Sequence, residues 1–167
     1  MDWNDLDDLL LPLDDLDESQ IEELGRNKYR ELYLTPDKNF GIQQTHDGQD
    51  VFFWEDRFDH AFYTSSDKRR DTDQKDKLVV ERIERICWIK EVIAGRVPGS
   101  ECWEVPNRRG WRTNRLYPVW SKSYLVWLEL RDKGGWKFSS AYPVLAETLR
   151  TYCRGGKKIW FWKKIVP

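Results

Sequence analysis

The sequence predicts an α+β fold: N-terminal helices and one long amphipathic helix packed on an antiparallel sheet of four to five strands. Three observations carry this expectation. Apolar residues recur at three- and four-residue steps over 78–94. Period-two alternation runs from Arg115 to Tyr142 through a Gly134-Gly135 hairpin signal. A cation–aromatic alternation, KKIWFWKKI, closes the chain. At 167 residues the chain is long enough for one domain with a single core.

The elements follow in order. Ser19 with Glu22 resembles a capping box and predicts a helix over 20–32. Pro36 and Gly41 punctuate a turn over 35–41, and Asp47-Gly48 marks another. Val51 to Trp54 reads as a strand, and a second begins at His60-Ala61-Phe62-Tyr63. Residues 64–77 are polar and predict a loop. Val79, Ile83, Ile86, Cys87 and Ile93 line one face of the helix over 78–94, with Gly95 as its C-terminal stop. Residues 98–111 show little periodicity and predict a loop. Strands follow at 115–121, 123–131 and 136–142. Pro143 to Cys153 predicts a helix opened by proline, ended by Gly155-Gly156. Residues 157–165 predict a last strand.

Charge is sorted along the chain. Residues 1–24 carry ten acids and no Lys or Arg, whereas 107–167 carry fourteen bases and three acids. The total of −1 hides this dipole. The basic block, rich in aromatics, points to a polyanion such as RNA. Residues 1–24 read as an acidic segment and 25–167 as a single α+β domain. The acidic segment interleaves Leu with Asp, which suits a stretch that orders on a protein partner. A helix pair packed by Leu9, Leu10, Leu13 and Leu16 has the same pattern.

Composition also excludes. Three cysteines, odd in number and without C-x-x-C spacing, argue against a disulfide framework or zinc knuckle. The N-terminus is acidic where a secretory signal is basic, and no apolar run nears the roughly 20 residues of a membrane span. The expected location is the cytoplasm, with no membrane partner. Two histidines cannot build a His-cluster metal site, and phosphate-loop and dinucleotide fingerprints are absent. No metal and no cofactor are expected.

Candidate chemistry gathers in three places. His60, in RFDHAFY, carries an imidazole that can take and give a proton near neutrality. A lone histidine in a strand more often serves structure. His46, beside a turn, reads as a surface residue. Arg115, Lys122, Ser139, Ser140 and Tyr142 would collect at one end of the expected sheet, where guanidinium, ammonium and hydroxyls suit a phosphate. An ordinary solvated sheet face has the same composition. In the tail, Lys158, Trp160, Trp162 and Lys164 share one face of an ideal strand. Such a face fits a stacking platform for unpaired bases, or an edge strand protected by lysines.

Three fragments together resemble a known family: RFDHAF, RIERICWIKEVIAG, and RLYPVW…YLVWLELR…GWKFSSAYP. From about residue 49 to 143 the chain resembles phage-associated members of the barnase–EndoU–colicin E5/D–RelE-like (BECR) nuclease superfamily. The resemblance implies a helix-plus-antiparallel-sheet fold and metal-independent RNA cleavage, often by toxins. Carried over by position, it implies His60, Arg115, Tyr124, Ser140 and Tyr142 as site residues. The acidic head and the KKIWFWKKI tail lie outside that pattern.

Two functions follow. The first is a metal-independent endoribonuclease acting by 2′-OH attack, a phage-related or toxin-like effector. In it His60 moves protons, Arg115 and Lys122 hold the phosphate, and Ser140 and Tyr142 position it. The second is a non-catalytic regulator on the same fold, binding nucleic acid or protein. A cognate inhibitor or other protein would engage residues 1–24.

Overall fold

The computed structural model describes residues 3–65, 76–107, 110 and 112–164. Its centre is a seven-stranded mixed sheet with the strand order β1-β2-β8-β7-β6-β5-β9. The strands are β1 (Phe40–Gln44), β2 (Asp50–Trp54), β5 (Glu101–Pro106), β6 (Thr113–Val119), β7 (Tyr124–Leu130), β8 (Trp136–Pro143) and β9 (Lys157–Phe161). A two-residue pair, β3 (Tyr63–Thr64) and β4 (Lys77–Leu78), stands apart. The helices are α1 (Glu18–Tyr33), α2 (Arg57–Phe62), α3 (Val80–Glu84), α4 (Trp88–Ile93) and α5 (Ala146–Cys153).

The expected antiparallel sheet of four to five strands is therefore corrected. β2 and β8 pair in parallel, at Val51↔Trp136 and Phe52↔Lys137. The other pairings of the sheet are antiparallel. Two strands escaped the sequence reading. Gly41 marks not a turn but β1, where a side chain would run into the Tyr33 carbonyl, so only glycine fits. β5 lies in the expected loop over 98–111; Cys102 joins the main core while Trp103 and Val105 pack on the other side, so apolar residues on both faces blur its alternation.

The single long helix is also corrected. The stretch 78–94 holds two short helices separated by a turn at 85–87. The break lets Ile83 and Ile86 pack together with Trp88, Ile89, Val92 and Ile93 in one core. Tyr33 supports it, donating its hydroxyl to the Ile86 carbonyl at 2.5 Å and accepting from the Lys90 N–H at 3.2 Å. Backbone groups without an intrahelical partner are thereby met. His60 lies in a helix rather than a strand: Phe58, Ala61 and Phe62 are buried at i, i+3 and i+4 spacing. The expected polar loop over 64–77 falls largely outside the described residues, as does Ile165 of the expected last strand.

The first face of the sheet carries the main core. Tyr33, Phe53 and Phe138 stack in series, with centroids 4.6 and 4.9 Å apart. α1 begins at Asp17, whose side chain accepts from the Gln20 N–H at 2.8 Å while Gln20 accepts from the Asp17 N–H at 2.9 Å. It buries Ile21, Gly25, Tyr29 and Tyr33 on this face. The acidic head joins the same core through Trp3, Leu6 and Leu13. The second face packs Leu116, Leu125 and Val105 under Leu149 and Cys153 of α5. α5 packs there over β5, joined by Trp120 from the short 3-10 turn at Trp120–Lys122.

Candidate nucleic-acid interface

Alternation along β5 to β8 sets what the second face presents. Asn114 opposes Glu129, which opposes Lys137, and Leu116 opposes Trp127, which opposes Ser140. The β7–β8 register shifts between Trp127 and Leu128, so Ser139 is the extra residue of a bulge. A bulge re-aims a side chain and ends regular pairing. The resulting groove, of about 690 Å³, is lined by Asn114, Trp127, Glu129, Ser139, Ser140 and Tyr142 from the sheet. Thr151, Tyr152 and Arg154 of α5 and its following turn close the other wall.

Trp127 and Tyr152 meet edge to face, with centroids 5.4 Å apart at 80°. Together they form an aromatic corner. Arg154, just after α5, is the exposed cation of that wall, and Arg150 of α5 and Lys157 of β9 are exposed nearby in sequence. Ser139 receives a guanidinium N–H of Arg57 at 3.2 Å and donates to Glu129 at 3.3 Å. Glu129 also pairs with Lys137 at 3.1 Å. Beyond Lys137 the edge of β8 is not paired with β2, and Arg57 meets it by donating to the Phe138 carbonyl at 3.1 Å. Arg82 lies 4.7 Å over the Tyr142 ring. Burial, with Tyr152 beside it, raises the Tyr142 phenol well above its ordinary value, so it stays protonated.

Three of the residues singled out from sequence, Ser139, Ser140 and Tyr142, thus share this groove. His60 is exposed on α2, one helical turn beyond Arg57, and is not among the groove's lining residues. Arg115 lies elsewhere and is committed. It is 3 % exposed, and Asp47 accepts from both terminal nitrogens at 2.9 and 2.8 Å. Its Nε donates to Glu104 at 3.2 Å, and its plane lies 4.8 Å from the Trp136 ring. Lys122 is held by Asp5 at 2.7 Å and Asp7 at 3.2 Å of the acidic head. Tyr124 is fully buried against Trp88.

The tail departs from an ideal strand. A register shift between Cys102 and Trp103 breaks its alternation. Trp160 opposes Cys102 and stacks on His46 at 4.4 Å, while Lys158 pairs with Glu101 at 3.3 Å. Lys158, Trp160 and Trp162 still line one hollow of about 660 Å³ together with Lys163, and Lys164 is exposed. His46, read as a surface residue, is nearly enclosed and shares a 2.9 Å hydrogen bond with Tyr117 Oη. Burial holds its imidazole below the ordinary value, Asp47 opposing and Arg115 adding.

Sequence reasoning missed Trp127, Tyr152 and Arg154. The signal for Trp127 was present, since alternation puts it on one face with Leu125 and Glu129. Tyr152 and Arg154 needed the placement of α5. Among the described residues no cluster of three His, Cys, Asp or Glu side chains could hold a metal ion. No helix of the described chain is long and apolar enough to cross a membrane. No protein family, no curated protein and no solved structure matches the chain.

Proposed function

We propose that this protein binds unpaired RNA in the groove over the second face of its sheet. The carrying observation is the Trp127–Tyr152 corner set in a groove whose wall also carries the exposed cation Arg154. Rings accept any base by stacking, and cations track the backbone. Ser140, Thr151 and Asn114 add donors and acceptors to the walls. The thiols of Cys87, Cys102 and Cys153 are unpaired, which fits the reducing cytoplasm.

Anisotropy of a dye-labelled single-stranded RNA tests the proposal. Trp127→Ala is expected to weaken binding about 5- to 150-fold, the loss of one base stack. Arg154→Ala should flatten the log–log salt slope by roughly 0.7, the value for one phosphate of a single strand. Unchanged affinity in both variants would overturn the groove as the site.

One arrangement favours cleavage as a second reading. Ser139 lies between Arg57 and Glu129, and His60 follows Arg57 by one turn. RNA cleavage by 2′-OH attack would use His60 or Glu129 for proton transfer and would proceed in excess chelator. His60→Ala would then lower the rate by about 100- to 10,000-fold without loss of binding. Intact RNA after prolonged incubation with the native chain leaves binding alone.

A further inference from the structure

The second face does not end at the groove. β8 and β2 continue it toward the β1 edge, where Trp54 also borders a hollow with Arg26 of α1 and Asp59 of α2. Phe52 of β2 stands directly beside Lys137 of β8, and Lys137 beside Glu129 of the groove. At about 4.8 Å per strand, β2 lies roughly 10 Å from β7. Phe52 and Trp54 project on this side and stack with centroids 5.7 Å apart at 20°. Ile42 of β1, opposite Phe52, is exposed.

Arg131 lies on these rings. Its guanidinium is 3.6 Å from the Phe52 centroid and 5.5 Å from that of Trp54. One terminal nitrogen donates to the Gly134 carbonyl at 3.1 Å. Ring and loop thus hold its plane in place, and a guanidinium plane is itself a stacking surface for a base. Arg131 and Lys133 also line a hollow of about 320 Å³ at the Gly134–Gly135 turn. Asp50 is the acid of that hollow, and it accepts a hydrogen bond from the Gln44 amide.

We infer that Phe52, Trp54 and Arg131 form a second stacking subsite, so that an unpaired RNA strand runs across the sheet from the groove over Lys137 onto β2. The inference rests on the groove's reading as an RNA site and sets the length and path of the ligand. Charge favours this occupant over an apolar protein segment. Arg131 and the exposed Lys133 lie along the path, with Lys137 shared between it and Glu129, and planar rings alternate with cations as a sugar-phosphate strand requires.

Two labelled oligouridylates, of four and twelve nucleotides, test it in the full chain. Trp54→Ala should weaken the twelve-mer by about 5- to 150-fold and leave the four-mer, held in the groove, unchanged. Trp54→Phe should restore most of the loss, because a ring face returns. Trp127→Ala should weaken both. Circular dichroism confirms that each variant is folded. If both oligomers bind the native chain and Trp54→Ala alters neither, the second subsite is wrong and the groove stands. Equal weakening of both by Trp54→Ala overturns the path, since the residue would then act through the groove. A native chain that binds neither oligomer overturns groove and subsite together. Loss of self-association in Trp54→Ala, with RNA affinity unchanged, would make this face a protein interface instead.

Discussion

Asp47→Ala is expected to lower stability by about 3 kcal/mol, the low end for a broken buried pair, because Arg115 is enclosed while Asp47 itself is one-third exposed. Arg115 is 3 % exposed, and Asp47 takes both of its terminal nitrogens. Without that carboxylate Arg115 keeps Glu104 on Nε and the face of Trp136. The turn between β1 and β2 would also lose its tie to β6. The midpoint of thermal unfolding should fall by roughly 6–12 °C. Asp47→Asn, which keeps an acceptor, should cost less. A loss under about 1 kcal/mol, typical of exposed pairs, would mean that the site is open to water.

The same network sets an acid limb of stability. Arg115's hydrogen bond holds the Asp47 carboxyl well below its ordinary value, with burial opposing and Thr45 assisting. A carboxylate depressed on folding contributes fully above its unfolded pKa, near 4, and loses that contribution as pH falls toward its folded value. His46, depressed chiefly by burial, contributes fully above about pH 6.5 and loses as pH falls below it. Urea midpoints should therefore begin to decline below about pH 6.5. His46→Asn should remove that first decline and keep the one below pH 4.

Phe53→Ala should cost about 3–5 kcal/mol, the usual loss for an aromatic ring removed from a closed core. Phe53 has no exposure and is the middle ring between Tyr33 and Phe138. Tyr33 in turn bridges Ile86 and Lys90 across the break between α3 and α4. Loss of the middle ring therefore loosens the break as well as the sheet. The check is urea unfolding at unchanged m-value, with Phe53→Leu expected to lose less. A change under about 1 kcal/mol would remove the ring series from the core.

The candidate site was half legible for a geometric reason. Ser139, Ser140 and Tyr142 were visible as a hydroxyl-rich strand end. Which of them face a common groove depended on a bulge at Ser139 that alternation cannot reveal. Arg115 reads in the sequence as a phosphate ligand, whereas in the structure its guanidinium is taken by Asp47, some 68 residues away. Lys122 likewise meets Asp5 and Asp7. Composition counts charges and does not say which are already paired.

By itself, the sequence determined the elements that carry a local signature. α1 and α5 follow from period and punctuation, because one face of each meets a core and the other meets water, whereas the β6–β7–β8 meander follows from its apolar runs and the Gly134-Gly135 turn, although β6 and β7 are covered on both faces. Tertiary structure alone decided the rest. β5 is short and sends Cys102 to one core and Trp103 and Val105 to the other, which leaves no alternation to read. β1 and β2 join β8 through a parallel pairing between residues about 85 apart, which no local pattern encodes. The apolar stretch over 78–94 bends into two helices because the core reaches it from more than one side and Tyr33 meets the opened backbone. Pairing partners and desolvation are properties of what arrives from elsewhere in the chain.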